Sequence, residues 1–291
     1  MSTIYRPKAL PEDKKEEILA ELAKGFGDMH GPQSFTEPAL DWPNGEKPVP
    51  VTLNGVKGVA LRSEGARRDL AFVHLHGGGF TGGSPVTGYR AMLALKQEYN
   101  MDSFSVDYSL APEYKAPIQI EEAAAFYQAV LDMGYERVVI AGESAGATLC
   151  LALTLWLKDR NLPLPAAVAA CSPALDLAGV IEIPVKDMFT EGGDEIRRGY
   201  IGGMNPRDPY ISPVFGNYSG FPPLLLQAGT TESLHYQSLY LAKLLEKENC
   251  DCTVSIWEGA PHAIGMDVAD VWFSRQCLRQ ILDFFVKKAG A

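Results

Sequence analysis

Cysteine is scarce in this 291-residue chain: there are five, at positions 150, 171, 250, 252 and 277. An odd, low count does not make a disulfide framework. The Cys250 and Cys252 pair has no second pair at zinc-finger spacing. Basic residues are also the minority, 26 Lys and Arg against 36 Asp and Glu, for a net charge of −10. General nucleic-acid binding needs a basic face to neutralise phosphates, so it is excluded. No apolar run approaches the roughly 18 residues of a membrane span, and no basic start leads into an apolar stretch as in a secretory signal. The expectation is a cytoplasmic protein with reduced thiols and no membrane partner. Internal repeats and low-complexity tracts are missing too. What remains, 46% hydrophobic and 21% charged residues, is the make-up of an ordinary globular protein.

From residue 49 onward, strand and helix patterns alternate. Short apolar runs predict strands at 49–53, 56–62, 70–75, 103–108, 137–141, 166–171, 224–228 and 253–257. Helical spacing links Ile120, Ala124, Tyr127 and Leu131, then Leu234, Ser238, Leu241 and Leu245, and finally Val271, Leu278, Leu282 and Phe285. This predicts an α/β fold with a mostly parallel sheet and helices on both faces. The first two strands are too close for a helical crossover and should pair antiparallel. Two regions break the rhythm. Residues 1–45 start with a helical pattern (Pro11, then Ile18, Leu19, Leu22 and Phe26) and continue into a Gly/Pro-rich stretch. Residues 178–213 hold four Pro and six Gly, too long for an ordinary loop. Both are expected to act as cap pieces over a domain spanning 46–291, with the second an insertion in it.

Residues 142–146 read Gly-Glu-Ser-Ala-Gly, after the strand RVVIA and before the helical pattern ATLCLALTLWLKD. A G-x-S-x-G between strand and helix is the nucleophile-elbow signal. Its glycines let strand and helix pass closely, and the turn pushes the serine oxygen out. Residues 76–80 read His-Gly-Gly-Gly-Phe, directly after another strand. Glycine-rich backbone leaves N–H groups free to stabilise a tetrahedral oxyanion. The segment HGGGFTGG lacks the lysine of a phosphate-binding P-loop.

A serine nucleophile at Ser144 needs a base, and the base an acid. Of five histidines, His262 is favoured because it follows the last strand, which suits the order Ser, acid, His. His74 reads as a core histidine and His76 as a structural part of the glycine loop. His235, early in a helix, is the rival base, and His30 lies in the N-terminal region. Glu232 is the carboxylate in the loop after the strand LLLQA, with Asp176 the rival acid. Glu143 neighbours the serine but points elsewhere across the turn. His74 and His76 are accompanied by no H-E-x-x-H and no Cys/His cluster, so no metal is expected.

In these segments the chain resembles the hormone-sensitive-lipase-like family of α/β-hydrolase esterases. The matching residues are His76 to Gly79, Asp107-Tyr108-Ser109-Leu110-Ala111-Pro112-Glu113, Gly142 to Gly146, Gly229 to Leu234, and Pro261-His262. The resemblance runs from about residue 50 to the C-terminus. It implies an eight-stranded sheet with a helical cap and cofactor-free hydrolysis of carboxylic esters, usually short-chain. Three positions depart from the family pattern: Glu143 where Asp is usual, Ser109 where Arg is usual, and Glu232-Ser233-Leu234 where D-P-L is usual.

The expected function is a serine carboxylesterase acting through an acyl-enzyme on a small-molecule ester. Ser144, Glu232 and His262 are its catalytic residues. Gly77 or Gly78, with Ala145, supplies the oxyanion-hole N–H groups. Phe80, Phe189, Tyr200, Ile201 and Met204 are placed near the substrate. An acyltransferase, amidase or peptidase with the same triad is the alternative, and so is a non-catalytic binding protein on the same fold. The receptor branch resembling this family lacks the histidine that stands here as His262. Oligomeric state, including a homodimer, is left open.

Overall fold

The computed structural model describes residues 3–5, 42, 45–191, 193–263, 266 and 272–290. The helical pattern read at Pro11 to Phe26 and His30 lie outside the described residues. A nine-stranded sheet runs through the molecule in the order β1-β9-β8-β7-β6-β4-β5-β3-β2. Its strands are β1 (Thr3–Tyr5), β2 (Val49–Leu53), β3 (Val56–Leu61), β4 (Ala71–Leu75), β5 (Ser103–Val106), β6 (Val138–Glu143), β7 (Ala167–Cys171), β8 (Leu224–Gly229) and β9 (Cys252–Trp257). All eight expected strands are present. The ninth, β1, lies parallel to β9 at the sheet edge, with Ile4 opposite Val254. Pairings of β2 with β3 and of β3 with β5 are antiparallel, and the others are parallel.

Alternation along the strands divides the core into two layers. On one face Val73, Leu75, Val138 and Ile140 pack under α2 (Ile118–Asp132), α3 (Ala145–Asp159) and α6 (Leu234–Lys247). On the other, Phe72, Val139 and Ala141 meet α1 (Tyr89–Tyr99) and α7 (Trp272–Ala289). Strands β4, β6, β7 and β8 are buried along their whole length, which is why each reads as a continuous apolar run. The 178–213 segment carries two short helices, α4 (Met188–Glu191) and α5 (Gly193–Ile201). No described helix is long and apolar enough to cross a membrane.

The chain order positions the site. It steps from β4 to β5 on one side, then returns across β4 to lay down β6. Ligands on open parallel sheets gather at such a switch, beyond the carboxyl ends of the strands. The glycine loop follows β4 there, and Ser144 follows β6.

Candidate active site

Ser144 occupies the single-residue turn between β6 and α3, at φ 53° and ψ −121°. A positive φ is costly for a residue with a side chain, and such strain clusters at functional positions. The two flanking glycines make the turn feasible. A Cβ on Gly146 would lie 2.0 Å from the Leu75 carbonyl oxygen, and one on Gly142 would lie 2.5 Å from the same oxygen. The Ser144 N–H donates to the Cys171 carbonyl at 2.8 Å, which fastens the turn to β7.

The glycine loop lies against this elbow. A Cβ on Gly77 would stand 3.3 Å from the Ser144 Cβ. Gly78 and Gly79 have φ of 115° and 61°, and the Gly78 carbonyl accepts from Thr81 and Gly82. One expectation needs correction here. Gly77 is not a free oxyanion donor, because its N–H is spent on Glu143 Oε1 at 2.6 Å. Among the described residues, the N–H groups of Gly78, Gly79 and Ala145 have no protein acceptor. Ala145 opens α3, where backbone donors are unsatisfied and the helix dipole favours negative charge.

Glu232 lies in the loop after β8 and is 2% exposed. Its Oε2 accepts the Nδ1–H of His262 at 2.5 Å. Its Oε1 accepts from Ser172 Oγ at 2.5 Å and from the Gly229 N–H at 3.0 Å. Ser172 Oγ in turn accepts the Ala263 N–H at 2.9 Å, so one hydroxyl ties the Glu232 loop to the His262 loop. Thr231 adds a second tie through its hydroxyl to the Ala260 carbonyl at 2.8 Å. A buried carboxylate held by three donors orients the imidazole, sets its Nδ1–H tautomer and leaves Nε2 as the basic atom. Among the described residues no hydrogen bond joins Ser144 to His262. Such contacts often tighten only when substrate binds.

Over residues 72–266 the chain matches the alpha/beta hydrolase fold family. The chain belongs to the alpha/beta hydrolase family. It is similar to an esterase of Acinetobacter venetianus, 31% identical over 249 residues that cover 81% of this chain and 80% of that one. An acetyl-hydrolase of Streptomyces hygroscopicus is 35% identical over 201 residues, covering 66% and 67%. Among solved structures, an esterase from the bacterial hormone-sensitive lipase family superposes with a TM-score of 0.80 at 28% identity, covering 92% of this chain and 98% of that one. The family resemblance carried by the motifs thus extends over most of the hydrolase chain.

The other described histidines of this α/β-hydrolase, His74, His76 and His235, are engaged elsewhere. His74 is fully buried, with Nε2 on Glu143 Oε2 at 2.7 Å and Nδ1 on Ser105 Oγ at 2.8 Å. Burial pushes the Glu143 carboxyl up, but His74 and the Gly77 N–H outweigh it and hold the group below its ordinary value. The same carboxylate accepts from Thr87 Oγ1 at 3.1 Å. His76 stacks on Tyr108 with centroids 4.2 Å apart, and its Nδ1 bonds the Gly77 carbonyl at 2.7 Å. Burial lowers its pKa to about 4, so the ring is neutral. His235 Nδ1 bonds the Glu232 backbone carbonyl at 2.5 Å. Asp176 caps its own loop, accepting from Val180 and Ile181 N–H at 2.6 Å each. No cluster of metal-ligating side chains occurs among the described residues.

The residues placed near the substrate separate into two groups. Phe80 and Tyr200 stack face to face, centroids 3.7 Å apart, and both are enclosed by protein. Ile201 is buried beside them and Met204 packs half-buried against the same core. As they stand, Phe80 and Tyr200 join the 178–213 segment to the glycine loop and offer a ligand almost no surface. Phe189 behaves differently: its ring lies 4.4 Å from the His262 imidazole, tilted by 45°. Ser172 had escaped the sequence reading. A lone serine after a strand carries no spacing signal, and its role depends on a carboxylate 60 residues away.

Proposed function

We propose that the protein is a serine carboxylesterase, with Ser144 as nucleophile, His262 as base and Glu232 as the acid that holds it. The observation carrying this reading is the 2.5 Å bond between Glu232 and His262, made by a carboxylate already held by two further donors. A binding protein has no need of an imidazole oriented in this way. In the reaction, Ser144 Oγ attacks the ester carbonyl while His262 Nε2 takes its proton. The N–H groups of Gly78, Gly79 and Ala145 receive the oxyanion. His262 then protonates the departing alcohol, leaving an ester on Ser144. Water, activated by the same nitrogen, attacks that acyl-enzyme, and the carboxylate product leaves. Glu232 stabilises the imidazolium in both halves without itself taking the proton.

Short, water-soluble esters are the substrates this reading favours. A net charge of −10 repels anionic lipid surfaces, and the Phe189 ring against the His262 imidazole leaves little room beside the base. The test is a series of p-nitrophenyl esters from C2 to C12, with triolein emulsion as the contrast. Activity should peak at or below C4, with little on triolein. A triolein rate that matched the C4 ester and rose with interfacial area would make the protein a lipase. Adding methanol as an acyl acceptor separates transfer from hydrolysis: methyl ester should remain a minor product.

A further inference from the structure

We propose that Asp187 and Ser233 form a latch that presses the 187–190 segment onto His262 and limits the size of the alcohol part of the ester. The proposal rests on His262 being the base.

Five bonds converge on the Asp187 carboxylate, the longest from the Thr190 hydroxyl at 3.5 Å. Ser233 gives two of them, from its N–H at 2.7 Å and its hydroxyl at 2.8 Å. Phe189 and Thr190 give their N–H groups at 3.0 and 3.2 Å. Thr190 Oγ1 returns the contact by accepting the Asp187 N–H at 2.8 Å. One side chain thus shapes the start of the short helix α4 and ties it to the residue directly after Glu232. Both Ser233 donors are buried, since the residue is 1% exposed. Releasing the carboxylate would leave them unsatisfied, so the latched arrangement is the favoured one.

Its consequence for chemistry is the position of Phe189. Two residues beyond Asp187, that ring packs on the imidazole whose Nε2 must hand a proton to the leaving alcohol. A bulky alcohol beside Nε2 therefore has to displace Phe189, and the latch resists that displacement. Ser233 also marks a departure from the family pattern, which would place proline here. Its φ of −68° suits a proline ring, but proline has neither an N–H nor a hydroxyl to offer Asp187.

The experiment compares kcat/KM for phenyl acetate and 1-naphthyl acetate, which share an acyl group and have leaving groups of similar acidity. In Asp187→Ala and Ser233→Pro the naphthyl-to-phenyl ratio should rise about tenfold, the scale of steric discrimination in an apolar site. Phe189→Ala should give the same rise. The Asp187→Ala/Phe189→Ala double variant should add nothing further, because latch and ring act as one unit. Ser233→Ala removes only the hydroxyl and should move the ratio the same way by less, which covers the case of a proline variant that fails to fold. A ratio unchanged in a folded Asp187→Ala or Ser233→Ala, even with both rates lowered, reduces the contact to structural support and overturns the latch. Full activity on both esters in Ser144→Ala would instead overturn the underlying reading of the site.

Discussion

Glu143 and Gly77 are joined by a 2.6 Å hydrogen bond between a fully buried carboxylate and a backbone N–H. The residue before the candidate nucleophile therefore fixes the loop whose next N–H groups, of Gly78 and Gly79, are the proposed oxyanion donors. His74 fixes Glu143 in turn. Removing the charge while keeping the shape should loosen that loop. Glu143→Gln is expected to lower kcat by about 10- to 100-fold, short of the roughly 10²–10³ for losing an oxyanion donor outright. KM should change little. Steady-state kinetics with a melting curve tests this. A KM rise at constant kcat would place Glu143 in substrate binding instead.

The Ser172 hydroxyl satisfies one oxygen of Glu232 and one N–H of the His262 loop. Ser172→Ala leaves both without that partner. A buried unsatisfied group costs about 1–3 kcal/mol, and the loss falls on the proposed acid–base pair of Glu232 and His262. The expected outcome is a kcat reduced about tenfold or more with KM nearly constant. Wild-type kcat in this variant would show that the tie is dispensable.

Glu232→Gln should cost about 10²–10⁴-fold in kcat, because the imidazole loses its tautomer and its counter-charge. His262→Ala should cost more, approaching the loss of the nucleophile. His235→Ala should cost little, since its ring nitrogen is occupied by the Glu232 backbone carbonyl. Asp176→Asn should affect loop stability and not turnover, because that carboxylate serves Val180 and Ile181. Ranking the four variants by kcat at matched folding checks the assignment.

His76 gives a pH prediction for stability. Burial depresses its folded pKa from 6.5 to about 4. The unfolded chain then binds the proton more readily, so the folded state loses stability as pH falls from about 6.5 towards 4 and is unaffected above that window. At most about 1.4 kcal/mol per pH unit comes from this one site. Urea unfolding of the wild type and of His76→Asn, from pH 8 to pH 4.5, should show a shallower acid slope in the variant. Identical slopes would refute the burial argument.

The eight strands from residue 49 onward were legible because burial on both faces leaves little but apolar residues in each. The elbow and glycine loop were legible because the close approaches at Gly142 and Gly146 admit no side chain. The places of Glu232 and His262 after β8 and β9 single them out as candidates, and the structure joins them by a hydrogen bond. What stayed hidden depends on partners remote in sequence. The strand Thr3–Tyr5 is defined by its pairing with β9 and not by its own composition. Gly77 looked like a free donor until the Glu143 carboxylate, 66 residues on, was seen to occupy it. Phe80 and Tyr200, expected near the substrate, are covered by one another. Asp187 carries no motif at all, and its meaning comes from Ser233, 46 residues away.

The most direct test of the account is covalent. The protein is mixed with p-nitrophenyl butyrate at low pH, quenched within milliseconds to seconds, and its intact and peptide masses are read. A butyryl adduct of stoichiometry near one should appear on the peptide carrying Ser144, with a matching burst of p-nitrophenol, and both should vanish in Ser144→Ala. An adduct on another residue, or full turnover in Ser144→Ala, would contradict the account.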